Sequence, residues 1–225
     1  METAKEKTRK QPIWTADRII TSYMDLMPGH ESELTSTAKF CKKAGIPENV
    51  FFEHFGSVES IREIIWVKFF ENAMHVMNSQ PGFESYSQRN KVLALHFTLF
   101  EIFTLNRGYI LYVLKENGQI LKNLPQLRQF SGHFLNYLKS ISETENIEWK
   151  QKMKKYSDPI LNEGAWLQFL FILKFWLDDQ SKGFEKTDIL IEKSVNTALD
   201  FIDTKPLENL LDLGKFLWKE RSATR

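Results

Sequence analysis

Apolar positions recur along most of this chain at helical rather than strand spacing. In the stretch from 19 to 27, Ile19, Ile20, Tyr23, Leu26 and Met27 fall on one side, the pattern of an amphipathic helix. Pro28-Gly29 ends it. A second short helix places Ala38, Phe40 and Cys41 against Lys39, Lys42 and Lys43. A longer one, over 58 to 79, carries Ile61, Ile64, Ile65, Phe69 and Met77 and stops at Gln80-Pro81-Gly82. Further helices are predicted near 87–105, 107–115, 126–142, 163–180, 184–203 and 206–220, separated by Gly, Pro and Asn; 143–162 reads as a polar helix and loop. Alternating apolar runs and hairpin turns are scarce, so the fold class is all-α.

Residues 35 to 55 have the local grammar of two helices joined by a tight turn. Thr35 or Ser36 supplies an N-cap oxygen for the first. Gly45 suits a break that needs a positive φ. Pro47 suits the first turn of the next helix, where its missing N–H does no harm. Ser57 can cap the helix that follows, with Glu59 in its first turn. A helix-turn-helix offers its second helix to the major groove.

The run "STAKFCKKAGIPENVFFEHFGSVESI", preceded by "IITSYMDLM", resembles the TetR family of bacterial regulators over residues 18 to about 66. Its Ala44-Gly45-Ile46 matches the family's usual Ala-Gly-Val, and "FFEHFGS" its aromatic-rich segment. The resemblance implies a flexible arm (1–12), a three-helix head with the helix-turn-helix (13–57), a connecting helix (58–79) and a larger helical domain for ligand binding and dimerisation (80–225). It places DNA contacts at Thr35, Ser36, Lys39, Lys42, Lys43, Pro47, Glu48, Asn49, Val50, Phe52 and His54. Asn49 is the candidate base reader, because its amide matches the edge of adenine. The partners implied are a double-stranded DNA operator, a small apolar or amphipathic effector and a second copy of the chain.

Four departures from the family pattern pull the other way. Phe52 stands where a phosphate-contacting tyrosine is usual, and Val58 where a lysine is usual. Glu48 and Glu53 add negative charge to the recognition helix, which phosphate repels. Residues 1 to 62 hold nine Lys/Arg and nine Asp/Glu, so the head has no basic footprint. These features favour an alternative, a lipid- or isoprenoid-binding protein that keeps the fold without binding DNA, as does a TetR-fold protein of ubiquinone biosynthesis. The amphipathic segment "PLENLLDLGKFLWKE" has a stripe of the kind that most often packs on its own domain, but it also suits a membrane surface.

Of the 18 Phe, 6 Tyr and 6 Trp of the 225-residue chain, many fall between residues 97 and 176. Phe97, Phe100, Phe103, Tyr109, Tyr112, Phe130, Phe134, Trp166 and Phe169 are candidates for an effector pocket, with filling of the core as the alternative. "AWLQFLFILKFWL" is apolar on nearly every side, and Ile191, Val195, Leu199 and Ile202 form a stripe on the next helix. By resemblance these two helices form the dimer interface, through Phe171, Phe175, Ile191, Val195, Leu199 and Ile202. The same block resembles the C-terminal domain of a TetR-like group from Bacteroidetes.

Composition changes this picture little. A net charge of +1 points to no polyanionic partner by itself. A single cysteine, Cys41, allows no intramolecular disulfide, and no signal core or membrane-length run is present; a cytoplasmic protein is expected. The five histidines are scattered, and neither a nucleophile elbow nor a phosphate-cradling loop occurs. An enzyme is not expected, nor a metal or cofactor. Asp178, Asp179, Glu185 and Asp188, at a turn between two apolar helices, read as capping residues rather than as a cation site.

Overall fold

In a computed structural model, which describes residues 13–28, 36–115, 120–144 and 159–202, the regular structure is entirely helical, as the sequence spacing predicts. The expected arm, Thr35 and the expected helix at 206–220 lie outside the described residues. The described helices are α1 (Ala16–Leu26), α2 (Thr37–Ala44), α3 (Glu48–His54), α4 (Val58–Asn78), α5 (Gln88–Leu105), α6 (Arg107–Lys115), α7 (Ile120–Asn123), α8 (Arg128–Thr144), α9 (Pro159–Asp178) and α10 (Glu185–Ile202).

The chain divides into two compact units. The first comprises the described residues up to Val67 together with those in Asn106–Gln129; the second comprises Lys68–Leu105 and the described residues from Phe130 onward. This division cuts α4 and brings α6 and α7 in with the helix-turn-helix. The boundaries expected from sequence instead put everything after residue 80 in one domain.

In the first unit, α1 starts where the Thr15 hydroxyl accepts the amide of Arg18, and α2 starts where Ser36 accepts that of Lys39. Gly45 ends α2 in the left-handed region at φ 69°, a conformation costly to residues with a Cβ. Pro47 lies one residue earlier than expected, as the N-cap of α3 with an extended ψ of 132°. Ser57 caps α4 through the amide of Ser60. Tyr23, Phe40 and Phe51 meet edge-on at 5.3 and 6.0 Å to form the small aromatic core between these helices. Ala38, expected on that inner face, is exposed.

In the second unit, α10 lies along α5 and against α9. Its core is a cluster of Phe100, Phe103, Phe130, Phe134, Phe169 and Trp176, all buried. Trp176 donates its indole N–H to Thr104 Oγ1 at 3.2 Å, which ties α9 to α5. Asp179 links α9 to α10. Its carboxylate accepts from the Ser181 amide and hydroxyl at 2.8 and 2.7 Å, and from those of Thr187 at 3.0 and 2.6 Å. Burial pushes this carboxyl up, but the four hydrogen bonds outweigh it and hold it at about 2. Asp179 is therefore a cap and a turn anchor.

Candidate nucleic-acid interface and effector cleft

The turn at Gly45 sets α2 and α3 so that their outer faces carry most of the residues expected to meet DNA. Ser36, Lys39, Lys42, Lys43, Pro47, Glu48, Asn49, Phe52 and His54 are all exposed, and Val50 is half-buried. The inner faces bury Phe40, Cys41, Ile46 and Phe51. Burial, with some help from the charge of Glu48, raises the pKa of the Cys41 thiol and leaves it a small core residue. Phe52 is 53% exposed, with its ring edge-on to Phe51 at 5.5 Å. Val58 is buried and carries no charge to offer a phosphate. His54 is already engaged: its Nε2 lies 3.3 Å from the Trp14 carbonyl, a distance that suits an N–H donating to that oxygen.

Behind this face, α4 and α6 meet the head through polar and aromatic groups. Arg62 Nε donates to the Tyr23 hydroxyl at 2.8 Å, and the Tyr23 ring lies edge-on to Tyr109 at 6.3 Å. The Tyr109 hydroxyl is buried with no hydrogen-bond partner, and burial raises its pKa well above the usual range. Trp66 donates to Gln126 Oε1 at 3.0 Å, and Gln126 Nε2 donates to the carbonyls of Val113 and Asn123. Arg62, Trp66 and Gln126 did not stand out in the sequence, because each gains its role from a partner tens of residues away. Tyr109, expected in an effector pocket, belongs to this first unit instead. Tyr112 is half-buried in the same unit.

The other expected pocket residues separate into two groups. Phe103, Phe130, Phe134 and Phe169 are buried in the core of the second unit, where they pack on one another with ring centroids 4.9 to 6.3 Å apart. Trp166 stacks on Phe169 at 5.3 Å. Phe97 and Phe100, by contrast, line a cleft of about 430 Å³ with Glu101, Trp176, Phe184 and Asp188. Phe184 and Glu101 were not expected there; Gly183, in the left-handed region beside Phe184, was the available turn signal.

The expected dimer residues also separate. Ile191 and Val195 are buried within the protomer, because α10 lies along α5, and so do not face a partner. Leu199 is half-buried, and the side chain of Ile202 lies outside those described. On α9, Phe171 and Phe175 are exposed, and Leu167 extends their stripe at i, i+4, i+8. Among the described residues no helix is long and apolar enough to cross a membrane, and no group of three His, Cys, Asp or Glu is placed to hold a metal ion.

The helical architecture and the exposed helix-turn-helix together define a TetR-type fold. Residues 91–217, more than half of the chain, match the family model described as "Tetracyclin repressor-like, C-terminal domain", and the chain belongs to that family. It is a transcriptional regulator of the TetR class. Among solved structures it is similar to the fatty acid degradation regulator FadR from Bacillus halodurans, with 14% identity, a TM-score of 0.55, and coverage of 84% of this chain and 97% of that one. A second similar structure is a putative tetR family transcription regulator from Shewanella sp. PV-4, with 14% identity, a TM-score of 0.43, and coverage of 84% and 96%. At that identity the likeness to FadR is one of fold. No curated protein matches the chain.

Proposed function

We propose that this protein is a DNA-binding, ligand-responsive repressor that acts as a homodimer. The observation that carries the reading is the exposed outer face of α2 and α3, where Lys39, Lys42 and Lys43 flank Asn49 and Phe52 around the Gly45 turn. The lysines would contact phosphate and position the helix. Asn49 and Phe52 lie three residues apart on one face of α3 and would read an A·T pair, Asn49 from the adenine edge and Phe52 from the thymine methyl. In this reading Phe52 exchanges a phosphate contact for a base contact.

Dimerisation would use the α9 stripe of Leu167, Phe171 and Phe175, in place of the buried Ile191 and Val195. An effector bound in the second unit would act on α4 and thereby change the spacing of two recognition helices. It can do so only to the extent that it binds one spacing better than the other. Tyr109, against Tyr23 and Arg62, is the natural contact through which α6 would resist or transmit that change.

A second reading, lipid binding without DNA, is favoured by the acidic Glu48 and Glu53 on the same exposed face and by the buried Val58. Selection of genomic fragments on the purified protein distinguishes the two. The regulator reading expects an enriched inverted repeat whose binding weakens steeply with salt. Lys42→Glu with Lys43→Glu should weaken binding at every site, whereas Asn49→Ala should relax preference at one base pair. No enriched site, together with lipid recovered in an organic extract of the protein, would reverse the choice.

A further inference from the structure

The cleft at the junction of α5, α9 and α10 combines aromatic walls with carboxylates. Its walls are aromatic: Phe97 is half-buried, Phe100 and Trp176 are buried, and Phe184 is half-buried. Its polar contribution includes two carboxylates, Glu101 and Asp188, both exposed to the opening. Neither carboxylate has an ion pair or hydrogen bond among the described residues. No lysine or arginine is among the described residues lining the cleft; Lys182 and Lys186, in the neighbouring turn, are not part of its walls.

One neighbouring group adds to the negative charge behind the cleft. Asp179 lies close enough for its charge to act on Asp188, and it is fixed in its ionised form by the hydrogen bonds from Ser181 and Thr187. Burial, with the Asp179 charge added, raises the pKa of Asp188. The aromatic wall is held in place. Thr104 fixes the Trp176 indole, and Phe184 is held at φ 62°, a left-handed conformation that a bulky side chain rarely adopts, with its ring 6.1 Å from that of Trp176. Strain of this kind persists where the surroundings enforce it, and it clusters at ligand sites.

We propose that this cleft binds a small organic cation, a quaternary or protonated amine attached to an apolar body, with the rings of Phe97, Phe100 and Phe184 around the cationic head and Glu101 and Asp188 supplying the counter-charge. Aromatic faces attract cations through their quadrupole, most strongly where water is partly excluded. Carboxylates at the rim add Coulombic attraction that an uncharged ligand of the same shape does not feel. A volume of about 430 Å³ is within the range of small-molecule sites. Naming the effector's chemical class deepens the regulator reading, but binding itself requires no DNA, so the two can fail separately.

The test is calorimetry on the full chain, without DNA, using the para-hydroxyphenyl-trimethylammonium cation and its uncharged isostere para-tert-butylphenol. The cation should bind one-to-one and about tenfold or more tighter than the phenol. Glu101→Gln and Asp188→Asn should each weaken the cation by about tenfold while leaving the phenol unchanged. Glu192→Gln, an exposed carboxylate of α10 outside the cleft, should change neither. Far-ultraviolet circular dichroism checks that every variant is folded. Equal binding of cation and phenol, wild-type affinity in both cleft variants, or no cation binding at millimolar concentration to folded protein would each overturn the assignment. A DNA-binding protein that ignores the cation would retain the regulator reading and lose this one; a cation binder that selects no DNA would do the reverse.

Discussion

Phe40 in the first unit and Phe169 in the second are both fully buried, yet they sit in different kinds of core. Phe40 meets two rings, Tyr23 and Phe51, among short helices whose ends are fixed by Thr15, Ser36, Gly45 and Ser57. Phe169 meets Phe100, Phe103, Phe130, Phe134 and Trp166, contributed by α5, α8 and its own α9, together with His96. The first core is small and its geometry is set largely by capping chemistry close in sequence. The second is large and set by packing between distant helices. Both units hold buried polar atoms without partners, Tyr109 Oη in the first and His96 Nε2, Tyr137 Oη and Gln168 Nε2 in the second.

Removal of each hub gives the largest test of this contrast. Phe169→Ala should cost about 3–5 kcal/mol, because the surrounding rings come from several helices and cannot all close on the space left. Phe40→Ala should cost about 3 kcal/mol, at the lower end of that range, since the small helices around it can shift. Hydrogen exchange resolved by peptide separates the effects: Phe169→Ala should speed exchange throughout α5, α8 and α9, and Phe40→Ala only in α1 to α3. Equal costs with exchange spread over both units would remove the distinction.

The contrast also explains which parts of the molecule the sequence revealed. The stretch read as 107–115 matches α6, and the one read as 87–105 differs from α5 by one residue, because Gly, Pro and cap residues act within a few positions of themselves. The Gly45 turn was legible for the same reason. The apolar stripe through Ile191 and Val195 was equally plain, but a stripe says only that a face is covered, not what covers it. Here α5 lies along that helix, and Ile191 and Val195 are buried within the chain. The exposed Phe171 and Phe175 were named through the family resemblance, whereas Leu167 was hidden inside a helix apolar on nearly all sides, where no periodicity singles out a face. Of the nine expected pocket residues, Phe97 and Phe100 line a cleft. Its remaining chemistry, in Glu101 of α5, Phe184 of the turn and Asp188 of α10, comes from segments far apart in sequence that only the fold brings together.

A smaller effect, confined to the second unit, comes from its buried histidine. His96 is 1% exposed, and its Nδ1 lies 2.8 Å from the Val92 carbonyl. Burial lowers its pKa from 6.5 to about 4, only partly opposed by that backbone hydrogen bond. Above pH 6.5 the ring is neutral in both folded and unfolded chains, so its titration contributes nothing there. Between pH 6.5 and about 4 the unfolded chain takes up a proton that the folded one refuses, and stability falls as the pH falls. Over the whole window the loss is about 3 kcal/mol. Urea midpoints measured from pH 7 to 4 should fall in the wild type and flatten in His96→Gln within this window. Parallel curves for the two proteins would show that His96 is not the group responsible.

The smallest effect belongs to the caps and compares the two units on the same chemistry. Ser36 makes one long, exposed bond to the Lys39 amide at 3.4 Å, whereas Asp179 makes four, two of them to backbone amides. Ser36→Ala should therefore cost about 0.5–1 kcal/mol and Ser36→Gly only a few tenths, since glycine leaves the terminus open to water. Asp179→Ala should cost about 2 kcal/mol, because it leaves the Thr187 amide and hydroxyl without their acceptor in a buried turn. The Asp179 contribution also has a pH signature. Its carboxyl is held at about 2 against 3.8 in the free side chain, so its stabilisation is complete above pH 4 and disappears as the pH falls toward 2. Ser36 has no such dependence. If the cost of Asp179→Ala were the same at pH 2 as at pH 7, the carboxylate would not be the acting species, and Asp179 would be an ordinary cap like Ser36.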